Sequence, residues 1–474
     1  MDVFTMALSN RSDFKGKNVH IIGMARSGMA AAEVLVALGA HMTVHDGKDS
    51  SQLEDTLKTA YELGVEVRIG DMAYDGITNA DIVVTSPGVP ETCAGLISAH
   101  EAGIPVLPEI ELAYRISLAP IIAVTGTNGK TTTTALIGKI FQCDGRNVYI
   151  AGNIIAGDIR LALVLAAYQA SENDIIVAEI SSFQLELISS FRPRVGALLN
   201  VSNDHMDRHP DIATYAQAKA RLFEFQGASD FAILNADDPV VMEFASRIKS
   251  QILQFSRTRE VELGTFAHGT EVWLRTPEDE QMICDTATMK LRGKHNLENI
   301  LAAAAAAKAF GVDNASVQMA VDTFEPPEHR LEPVAEINGV EFLNNSMCTN
   351  VAASVNSLEA IGRPAIVIAG GKDKGSDYGP LGDAFVRHAK HVVLIGADAP
   401  LIENAARAAG FDLISHAVTL EEAVEIAWQL AESGDTIVLS PCCASFDMFK
   451  DFEHRGQVFK AAVKEIANRV EARR

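Results

Sequence analysis

The feature of this sequence that most constrains its fold is an apolar run that leads directly into a glycine turn and a lysine. Residues 121–132 read Ile-Ile-Ala-Val-Thr-Gly-Thr-Asn-Gly-Lys-Thr-Thr. The run predicts a buried strand, Gly126 and Gly129 predict a turn, and the following residues predict the start of a helix. Such a loop directs backbone N–H groups at a phosphate, and the helix N-terminus adds positive partial charge. The stretch therefore predicts an α/β domain with a phosphate-binding loop.

The polar residues of this loop indicate a nucleotide ligand. Lys130 can neutralise a phosphate, and the hydroxyl of Thr131 can bind Mg²⁺. The spacing departs from the usual G-x-x-x-x-G-K-[ST] pattern, because Val124 stands where the first glycine belongs and the nearest glycine is Gly126. An ordinary turn would account for one or two of these residues. A strand, two glycines, a lysine and a threonine together favour nucleotide-phosphate binding.

Length and charge limit the class of protein. A chain of 474 residues predicts about three domains. The net charge of −22 disfavours non-specific nucleic-acid binding, which depends on neutralising phosphates. We expect no membrane partner and a cytoplasmic location, because no apolar run is long enough to span a bilayer and residues 1–18 lack a signal-peptide pattern. The six cysteines form no C-x-x-C pair, so no zinc cluster is expected, and Cys442 and Cys443 are expected to be reduced thiols.

The first segment of the chain alternates short apolar runs with helical patterns. Strands are predicted at 18–22, 42–44 and 81–85, with an alanine-rich helix ending near Leu38, which indicates a parallel sheet covered on both faces. Ligands of such sheets bind beyond the C-terminal strand ends. The turn at 23–28 is weak as a dinucleotide fingerprint because Ala25 replaces its middle glycine. It favours a nucleotide diphosphate or another phosphate ligand over a nicotinamide cofactor.

Proline-rich junctions divide the remainder of the chain. Pro120 and the run Glu325-Pro326-Pro327 are predicted boundaries and hinges, which gives domains at 1–118, 119–325 and 326–474. A polar stretch at 257–280 is expected to be irregular, and a packed helix is expected at 299–310. Further strands are predicted in both later domains, at 175–178, 195–199, 231–234, 365–369, 391–395 and 436–439.

Several polar residues follow predicted strands and permit two interpretations each. Glu179 could hold Mg²⁺ against nucleotide phosphates or could be an ordinary glutamate at a strand end. The loop at 200–209 could form a metal or phosphate site or a plain polar loop. Arg330, at the second domain junction, could be a surface charge or a phosphate clamp.

Other residues have predictions that depend only on their local pattern. Lys219 lies in a helical pattern and is expected to be a solvated lysine, and Asn296 suits a helix cap. The turn at 370–375 follows a strand and is typical of a binding turn. The stretch at 440–450 also follows a strand, and its hydroxyls and expected helix start suit a small carboxylate ligand.

Taken together, these motifs resemble the Mur ligase family of ATP-dependent amino-acid ligases, in the family's order and over nearly the whole chain. T-G-T-N-G-K-T-T at 125–132 is the hallmark of the family. The members that add D-glutamate are the most similar, on four further motifs: E-I-S-S-F-Q-L-E at 179–186, N-D-H-M-D-R at 203–208, L-S-P-C-C-A-S-F-D-M-F-K at 439–450 and F-E-H-R-G at 452–456.

This resemblance implies a three-domain α/β fold with a Rossmann-like N-terminal domain, a central P-loop ATP-binding domain and a Rossmann-like C-terminal domain. It implies ATP and Mg²⁺ as cofactors, UDP-N-acetylmuramoyl-L-alanine and D-glutamate as substrates, and a monomeric ligase of peptidoglycan precursor synthesis. The L-alanine carboxylate would be activated as an acyl phosphate before the amine of glutamate attacks it.

The resemblance also assigns roles to individual residues. The catalytic residues would be Lys130, His205, Lys219 and Lys374. Mg²⁺ would be held by Thr131, Glu179, His205 and Lys219, the last as a carbamate. ATP would contact Gly126, Thr127, Asn128, Gly129, Lys130, Thr131, Thr132, Asn296, Asn299, Arg330 and Asn345. The two other substrates would contact Ser86, Pro87, Gly88, Asn153, Thr349, Lys374, Ser445 and Phe449.

Four positions depart from the family pattern. Asn345 replaces an aspartate expected near the ATP ribose, and Met347 replaces a lysine, which Lys374 could partly offset. Ala151 and Ile155 stand where glycines are usual.

Several other functions stay open from the sequence. They are an L-glutamate-specific variant, a related muramoyl or folylpolyglutamate-type ligase, an ATPase that switches conformation, and a nicotinamide-dependent dehydrogenase. The stretch at 439–456 and the S-S-F-Q-L-E run argue against the L-alanine-adding and folylpolyglutamate types.

Overall fold

The computed structural model describes residues 3–155, 159–205, 208–291, 293–372 and 375–472, with side chains from residue 7 onward. The chain divides into two compact units. The first comprises Met1–Val201, His209–Ala287 and Asn299–Val321, and the second comprises Ser202–Arg208, Thr288–Glu298 and Asp322–Arg474.

The first unit begins with a five-stranded parallel sheet of order β3-β2-β1-β4-β5. The order reverses between β1 and β4, so the loops after these strands line a crevice at the C-terminal edge. This topology confirms the Rossmann-like prediction. Its elements are α1 (Val3–Ser12), β1 (Asn18–Ile22), α2 (Arg26–Ala37), β2 (His41–Asp46), α3 (Glu54–Glu62), β3 (Glu66–Ile69), β4 (Ile82–Thr85), α4 (Ala94–Glu101), β5 (Val106–Pro108) and α5 (Glu109–Ile116).

The same unit holds a nine-stranded sheet of order β14-β13-β12-β11-β10-β9-β6-β8-β7. Strand β6 lies between β8 and β9 and is parallel to both. The elements are β6 (Ile121–Thr125), α6 (Lys130–Cys143), β7 (Val148–Gly152), α7 (Leu163–Gln169), β8 (Ile175–Glu179), α8 (Ser182–Leu185), β9 (Val195–Leu198), α9 (Ile212–Ala220), β10 (Phe231–Asn235), α10 (Pro239–Met242), β11 (Gln251–Ser256), β12 (Gly264–His268), β13 (Glu271–Arg275), β14 (Glu280–Asp285), α11 (Lys294–Lys308) and α12 (Asn314–Thr323).

The polar stretch at 257–280 was wrongly expected to be irregular. It contains β12 and β13 and reaches the start of β14, and these three strands pair antiparallel at the edge of the sheet. An antiparallel edge strand exposes one face to water, so half of its residues are polar. In β13 the burial alternates along Glu271-Val272-Trp273-Leu274-Arg275, and this period of two was the signal available in the sequence.

The second unit contains a six-stranded sheet of order β15-β16-β20-β17-β18-β19, parallel except for the edge strand β15. The loops that follow β16, β20 and β17 meet at one edge, because these strands are neighbours. The elements are β15 (Glu332–Ile337), β16 (Val340–Asn344), α13 (Val351–Ile361), β17 (Ala365–Gly370), α14 (Gly379–His388), β18 (Ala389–Ile395), α15 (Ala399–Ala408), β19 (Ile414–His416), α16 (Leu420–Leu430), β20 (Thr436–Leu439) and α17 (Phe452–Glu471).

Continuous apolar runs explain why the central strands are buried on both faces. In β6 all five residues are buried, as they are in β8. Such runs are typical of parallel strands covered by helices on both sides. The helix predicted at 299–310 is confirmed over 299–308, within α11, and its alanines 302–307 are fully buried. The limits of the three predicted domains stay predictions.

Candidate active site

The phosphate loop of the first unit has the predicted strand–turn–helix geometry. Strand β6 ends at Thr125 and α6 begins at Lys130, with Gly126 at φ +155° and Gly129 at φ +84° between them. A Cβ on Gly126 would lie 3.0 Å from the Leu199 Cβ, and a Cβ on Gly129 would lie 2.3 Å from the Asn299 Oδ1. Both positions therefore require glycine for space as well as for backbone conformation.

Asn200 holds the turn from the neighbouring strand β9. Its Oδ1 accepts the N–H of Asn128 at 2.8 Å, its carbonyl accepts the N–H of Thr127 at 2.9 Å, and its Nδ2 donates to the carbonyl of Asn128 at 3.1 Å. The sequence placed Asn200 only within the loop at 200–209, as a possible metal or phosphate site, and gave it no individual role, although it directly follows a predicted strand. That position beside the phosphate loop was the signal that could have identified it.

Glu179 is at the centre of a hydrogen-bonded polar group beside the loop. Its Oε2 accepts the Thr131 hydroxyl at 2.7 Å, and its Oε1 accepts the Nδ2 of Asn153 at 3.3 Å. Thr131 and Glu179 are 1% and 3% exposed. A hydroxyl and a carboxylate oxygen at a helix N-terminus are ligands that Mg²⁺ prefers, so the donor set fits this ion. These contacts favour the metal-binding interpretation of Glu179 over that of an ordinary strand-end glutamate.

Two lysines donate to carbonyls of the same loop. Lys130 Nζ donates to the Thr127 carbonyl, and Lys219 Nζ donates to the Gly126 carbonyl, both at 2.8 Å. The prediction that Lys219 is solvated is wrong, since it is 1% exposed and its Nζ lies 4.3 Å from the Tyr215 ring centroid. The face of α9 that carries Lys219 and Tyr215 is packed inward, and the sequence of this nine-residue helix alone does not show which face is buried. The two lysines concentrate positive charge at the phosphate loop in a chain that is otherwise strongly acidic.

Helix α11 contributes a second amide to the loop. The Thr133 hydroxyl donates to the Asn299 Oδ1 at 3.2 Å, and both residues are buried in the first unit. Asn296 is not the helix cap that was expected, because α11 begins at Lys294 and Asn296 is already inside its first turn. Thr132 is buried in the first turn of α6.

The crevice of the first sheet contains the turns that were expected to bind a nucleotide. The Ser86 hydroxyl donates to the Gly23 carbonyl at 2.9 Å, so the turns after β4 and β1 are in contact. Ser86 is buried, Pro87 is half-buried and Gly88 is exposed. A Cβ on Gly28 would lie 1.9 Å from the Gly23 carbonyl oxygen, so α2 approaches the turn closely. The helix N-terminus and this turn together suit a phosphate ligand.

Arg330 lies in a tight turn of the second unit. The flanking residues His329 and Leu331 adopt left-handed conformations with φ of +64° and +46°. Burial, followed by the charge of Arg330, lowers the pKa of His295 to about 4. The charge of Arg330 therefore acts on the residue that precedes Asn296, and the shared role of Arg330 and Asn296 at ATP stays a prediction.

Asn345 has a structural function that an aspartate would perform differently. Its Oδ1 accepts the Leu331 N–H at 3.2 Å, and its Nδ2 donates to the Ser357 Oγ at 2.8 Å. An aspartate could accept the first bond but could not donate the second. The departure from the family pattern therefore fits the amide contact that holds the turn next to Arg330.

The cluster of Glu328, His329 and Glu332 has the spacing of a metal site but already contains a cation. Lys460 Nζ donates to Glu332 Oε1 at 2.9 Å and to Glu328. The ammonium group occupies the charge position that a metal ion would take. We assign this cluster to anchoring α17 beneath the turn that carries Arg330.

The three loops expected to bind the amino acid meet at one edge of the third sheet. Ser445 is buried, Thr349 is exposed and Phe449 is half-buried with its ring 5.7 Å from that of His454. The helix start expected within 440–450 is absent from this described stretch, because α17 begins only at Phe452 with Asp451 as its N-cap. Strand β17 ends at Gly370, so the predicted binding turn begins directly after a strand, as expected. Its residue Lys374 lies outside the described residues.

Arg455 joins two of these loops from behind and received no role from the sequence. It is 1% exposed, and it donates to the Ser346 Oγ and carbonyl at 3.1 and 2.7 Å and to the Cys443 carbonyl at 3.0 Å. Burial lowers its pKa to about 10, so the guanidinium is still charged at neutral pH. Its place in the F-E-H-R-G motif was the available signal. Cys442 and Cys443 are buried and outside any disulfide, in line with the prediction of reduced thiols.

His205 lies in the second unit with a left-handed backbone. Its φ is +57°, its N–H donates to Asp204 Oδ1 at 2.9 Å, and its Nε2 lies 3.8 Å from Asp204 Oδ2. An imidazole beside a carboxylate is a frequent metal-ligand arrangement. The metal role of His205 stays a prediction.

Comparisons with known proteins cover nearly the whole chain. The profile described as "Mur ligase MurD-like, N-terminal domain" matches residues 17–108, that of "Mur ligase middle domain" matches 124–307, and that of "Mur ligase, glutamate ligase domain" matches 329–443. The chain is 44% identical over 451 residues to the UDP-N-acetylmuramoylalanine–D-glutamate ligase of Pelotomaculum thermopropionicum, covering 95% of this chain and 98% of the relative. It is 44% identical over 455 residues to the protein of that name in Koribacter versatilis, covering 96% and 99%.

A solved structure shows the same fold. The crystal structure of the UDP-N-acetylmuramate–alanine ligase MurC of Thermotoga maritima aligns with a TM-score of 0.61 at 16% identity. The alignment covers 95% of this chain and 99% of that one. Among the described residues, no helix combines the length and apolar character needed to cross a membrane.

Proposed function

The chain belongs to the Mur ligase family, and on that premise we propose that it joins D-glutamate to the L-alanine carboxylate of UDP-N-acetylmuramoyl-L-alanine with consumption of ATP. Relatives with this printed activity match the chain nearly end to end. The observation that carries the proposal is the hydrogen-bonded group of Thr131, Glu179 and Asn153 on a glycine loop. It gathers a candidate metal site and a candidate substrate contact beside the phosphate loop.

The first step is activation of the carboxylate. An oxygen of the L-alanine carboxylate attacks the γ-phosphorus of ATP, the bond from that phosphorus to ADP breaks, and an acyl phosphate forms. The loop N–H groups and Lys130 neutralise charge on the transferring phosphoryl group. Thr131 and Glu179 would hold Mg²⁺, which when bound supplies positive charge against the phosphates. In this proposal His205 takes part in a second magnesium site, and a carbamylated Lys219 supplies a metal-binding carboxylate.

The second step is formation of the amide. The amine of D-glutamate attacks the acyl carbon, gives a tetrahedral intermediate, and loses a proton to the departing phosphate or solvent. The carbon–oxygen bond to the phosphate then breaks, so the products are an amide, ADP and inorganic phosphate. Thr349, Lys374, Ser445 and Phe449 hold the amino acid in this proposal. The ATP residues Asn296, Asn299, Arg330 and Asn345 position the nucleotide.

We place the reaction in the cytoplasm, where ATP is available, and assign it to a monomer. Each role in the proposal is assigned to a residue of one chain, so the reaction needs no residue from a second copy. Sedimentation at the assay concentration tests the monomer directly, and a dimer that alone is active would contradict it.

The test of the function is ATP-dependent phosphate release with UDP-N-acetylmuramoyl-L-alanine and D-glutamate, L-glutamate or no amino acid. We expect release only with D-glutamate, together with a new amide product. Release with L-glutamate alone would change the stereochemical assignment. Release without any amino acid would favour a switching ATPase.

A further inference from the structure

Arg26 connects the crevice of the first sheet to the turn that carries Asn153. It is the first residue of α2, directly after the turn that follows β1. Its Nη2 donates to the Gly152 carbonyl at 3.0 Å and its Nη1 donates to the Ile154 carbonyl at 3.3 Å. One guanidinium therefore holds both sides of Asn153 from a different sheet.

The turn at 152–154 is pressed against the end of β8. Gly152 has φ +93°, and a Cβ there would lie 2.3 Å from the Glu179 carbonyl oxygen. The Asn153 N–H donates to that carbonyl at 2.8 Å, while its side chain reaches the Glu179 carboxylate. The orientation of Asn153 and that of the Glu179 carboxylate are thus set by the same turn.

A continuous set of contacts leads from the first crevice to the phosphate loop. Arg26 contacts the turn, the turn positions Asn153, Asn153 contacts Glu179, and Glu179 contacts Thr131. All these residues lie in the first unit. Arg26 is joined directly to the turn, whereas the Glu179 carboxylate is also held by the Thr131 hydroxyl, so loss of Arg26 acts first on Asn153.

A buried acid, Glu109, lies near Arg26 at the border between the elements of the five-stranded and nine-stranded sheets. Glu109 is 1% exposed, its Oε1 accepts the Val164 N–H in the first turn of α7 at 2.8 Å, and the charge of Arg26 acts on it. Helices α5 and α7 pack in one core, which includes Ile110 and Leu163. The packed helices α5 and α7 therefore form a rigid support at this border, where the Arg26 guanidinium holds the turn.

We propose that Arg26 is a positioning residue for the muramoyl substrate, because it fixes the Asn153 turn and thereby links the nucleotide crevice to Glu179. The inference rests on the proposed function. Loss of the Arg26 side chain should weaken use of UDP-N-acetylmuramoyl-L-alanine, whereas use of ATP and of D-glutamate should change little. An arginine that merely tethers two domains would affect all three substrates together, in proportion to lost stability.

The chain offers a matched control in Arg11. Its guanidinium also donates to backbone carbonyls across the border, with Nε to Ile116 at 2.8 Å and Nη2 to Ala167 at 2.9 Å and Tyr168 at 3.1 Å. None of these carbonyls belongs to the 152–154 turn. Arg11 and Arg26 therefore share their chemistry and differ in the segment that they hold.

The experiment compares Arg26→Met, Arg26→Lys and Arg11→Met in the full chain. For each protein, kcat and KM are measured for the three substrates, and Tm is measured without ligand. Losing two charged hydrogen bonds should lower kcat/KM for the muramoyl substrate about 10-fold or more in Arg26→Met. The KM values for ATP and D-glutamate should stay within about twofold, and Arg26→Lys should recover part of the loss, since an ammonium retains donors. Arg11→Met should leave the muramoyl kcat/KM unchanged even where Tm falls.

Two outcomes overturn the inference and are distinguishable. If the wild-type protein forms no amide, the proposed function fails and takes the inference with it. If the wild type is active and Arg26→Met matches Arg11→Met in every parameter, only the inference fails.

Discussion

The phosphate-loop region and the amino-acid loops of the third sheet are built in different ways. Around the phosphate loop, the candidate chemical groups contact one another directly: Thr131 with Glu179, and Lys219 with the loop backbone. At the third sheet, Thr349 is exposed, and the loops are held from behind by Arg455. Phosphoryl transfer requires fixed charges, whereas an amino-acid site can be assembled around a scaffold. The comparison predicts that mutations at the first region reduce the rate, whereas those at the second reduce amino-acid affinity and stability.

The largest effect is expected from Lys130→Ala. Removing the ammonium should reduce turnover at least about 1,000-fold, because it neutralises the transferring phosphoryl group. The fold should survive, since Lys130 is half-buried and its ammonium group donates to the Thr127 carbonyl of its own loop. Steady-state rates and Tm measure both parts. Lys139→Ala on the same helix is the control and should leave the rate unchanged; a near-normal rate in Lys130→Ala would refute the assignment of the loop.

Lys219→Ala should reduce the rate about 100-fold, in the range seen when metal-supporting groups are lost. Carbamylation turns the amine into a carboxylate while leaving one N–H that can still donate to the Gly126 carbonyl. Added acetate or formate should therefore restore part of the activity. Lys308 also donates to a carbonyl, that of Val312, and Lys308→Ala should show no such rescue. Full activity of Lys219→Ala without added acid would exclude the carbamate.

Arg455→Met should lower the free energy of unfolding by about 3 kcal/mol, because it leaves the buried carbonyls of Ser346 and Cys443 without donors. The KM for D-glutamate should rise more than that for ATP. Urea unfolding and substrate titrations measure these quantities. Arg469→Met, on the same helix but in an exposed pair with Glu425, should do neither. Equal loss of ATP and glutamate use would remove the distinction between the two regions.

The smallest effect concerns a pH dependence within the first unit. Burial raises the pKa of Glu109 from about 4.5 to about 7. The N–H of Val164, the charge of Arg26 and the N–H of Leu163 act to lower this pKa, but burial outweighs them. The folded state therefore binds more protons than the unfolded state in this range, and this contribution to stability is lost as pH rises through about 7. From about pH 5 to about pH 7, the wild type should lose about 2 kcal/mol relative to Glu109→Gln.

Glu111 provides the opposite sign as a control for this titration. Burial acts to raise its pKa, but hydrogen bonds from Ser190 and Ser189 and the charge of Arg115 outweigh burial, and the pKa is lowered. Its contribution to stability is present above its ordinary pKa and is lost as pH falls through the lowered value. Unfolding curves of Glu111→Gln should therefore diverge from the wild type in the other direction. Identical pH dependence of the wild type and Glu109→Gln would contradict the buried-acid account.

The sequence correctly predicted those parts of the site whose residues lie close together along the chain. The strand, two glycines and lysine at 121–132 lie within a few residues of one another, so their geometry follows from backbone rules. The alternation of strands and helices likewise predicted three α/β sheets. Glu179 was placed correctly at a strand end, yet only the structure showed that its carboxylate contacts Thr131.

The remaining features depend on tertiary packing. The burial of Lys219 depends on which face of α9 meets the sheet, and a lysine within a polar pattern gives no sign of that. Arg455 contacts carbonyls more than 10 residues away, and one of them, that of Ser346, belongs to a different loop. Asn296 was misplaced by one helical turn because the start of α11 lies before the residue that resembled its cap. These features need long-range contacts that a local pattern does not contain.

The central claim is that the phosphate loop transfers a phosphoryl group to the L-alanine carboxylate before the amide forms. The most direct measurement uses UDP-N-acetylmuramoyl-L-alanine labelled with ¹⁸O in both oxygens of that carboxylate. With ATP and D-glutamate, the account predicts that one labelled oxygen leaves in the inorganic phosphate and the other stays in the amide, as read by mass spectrometry. Amide formation with no label in the phosphate would contradict the acyl phosphate and, with it, the proposed role of this site.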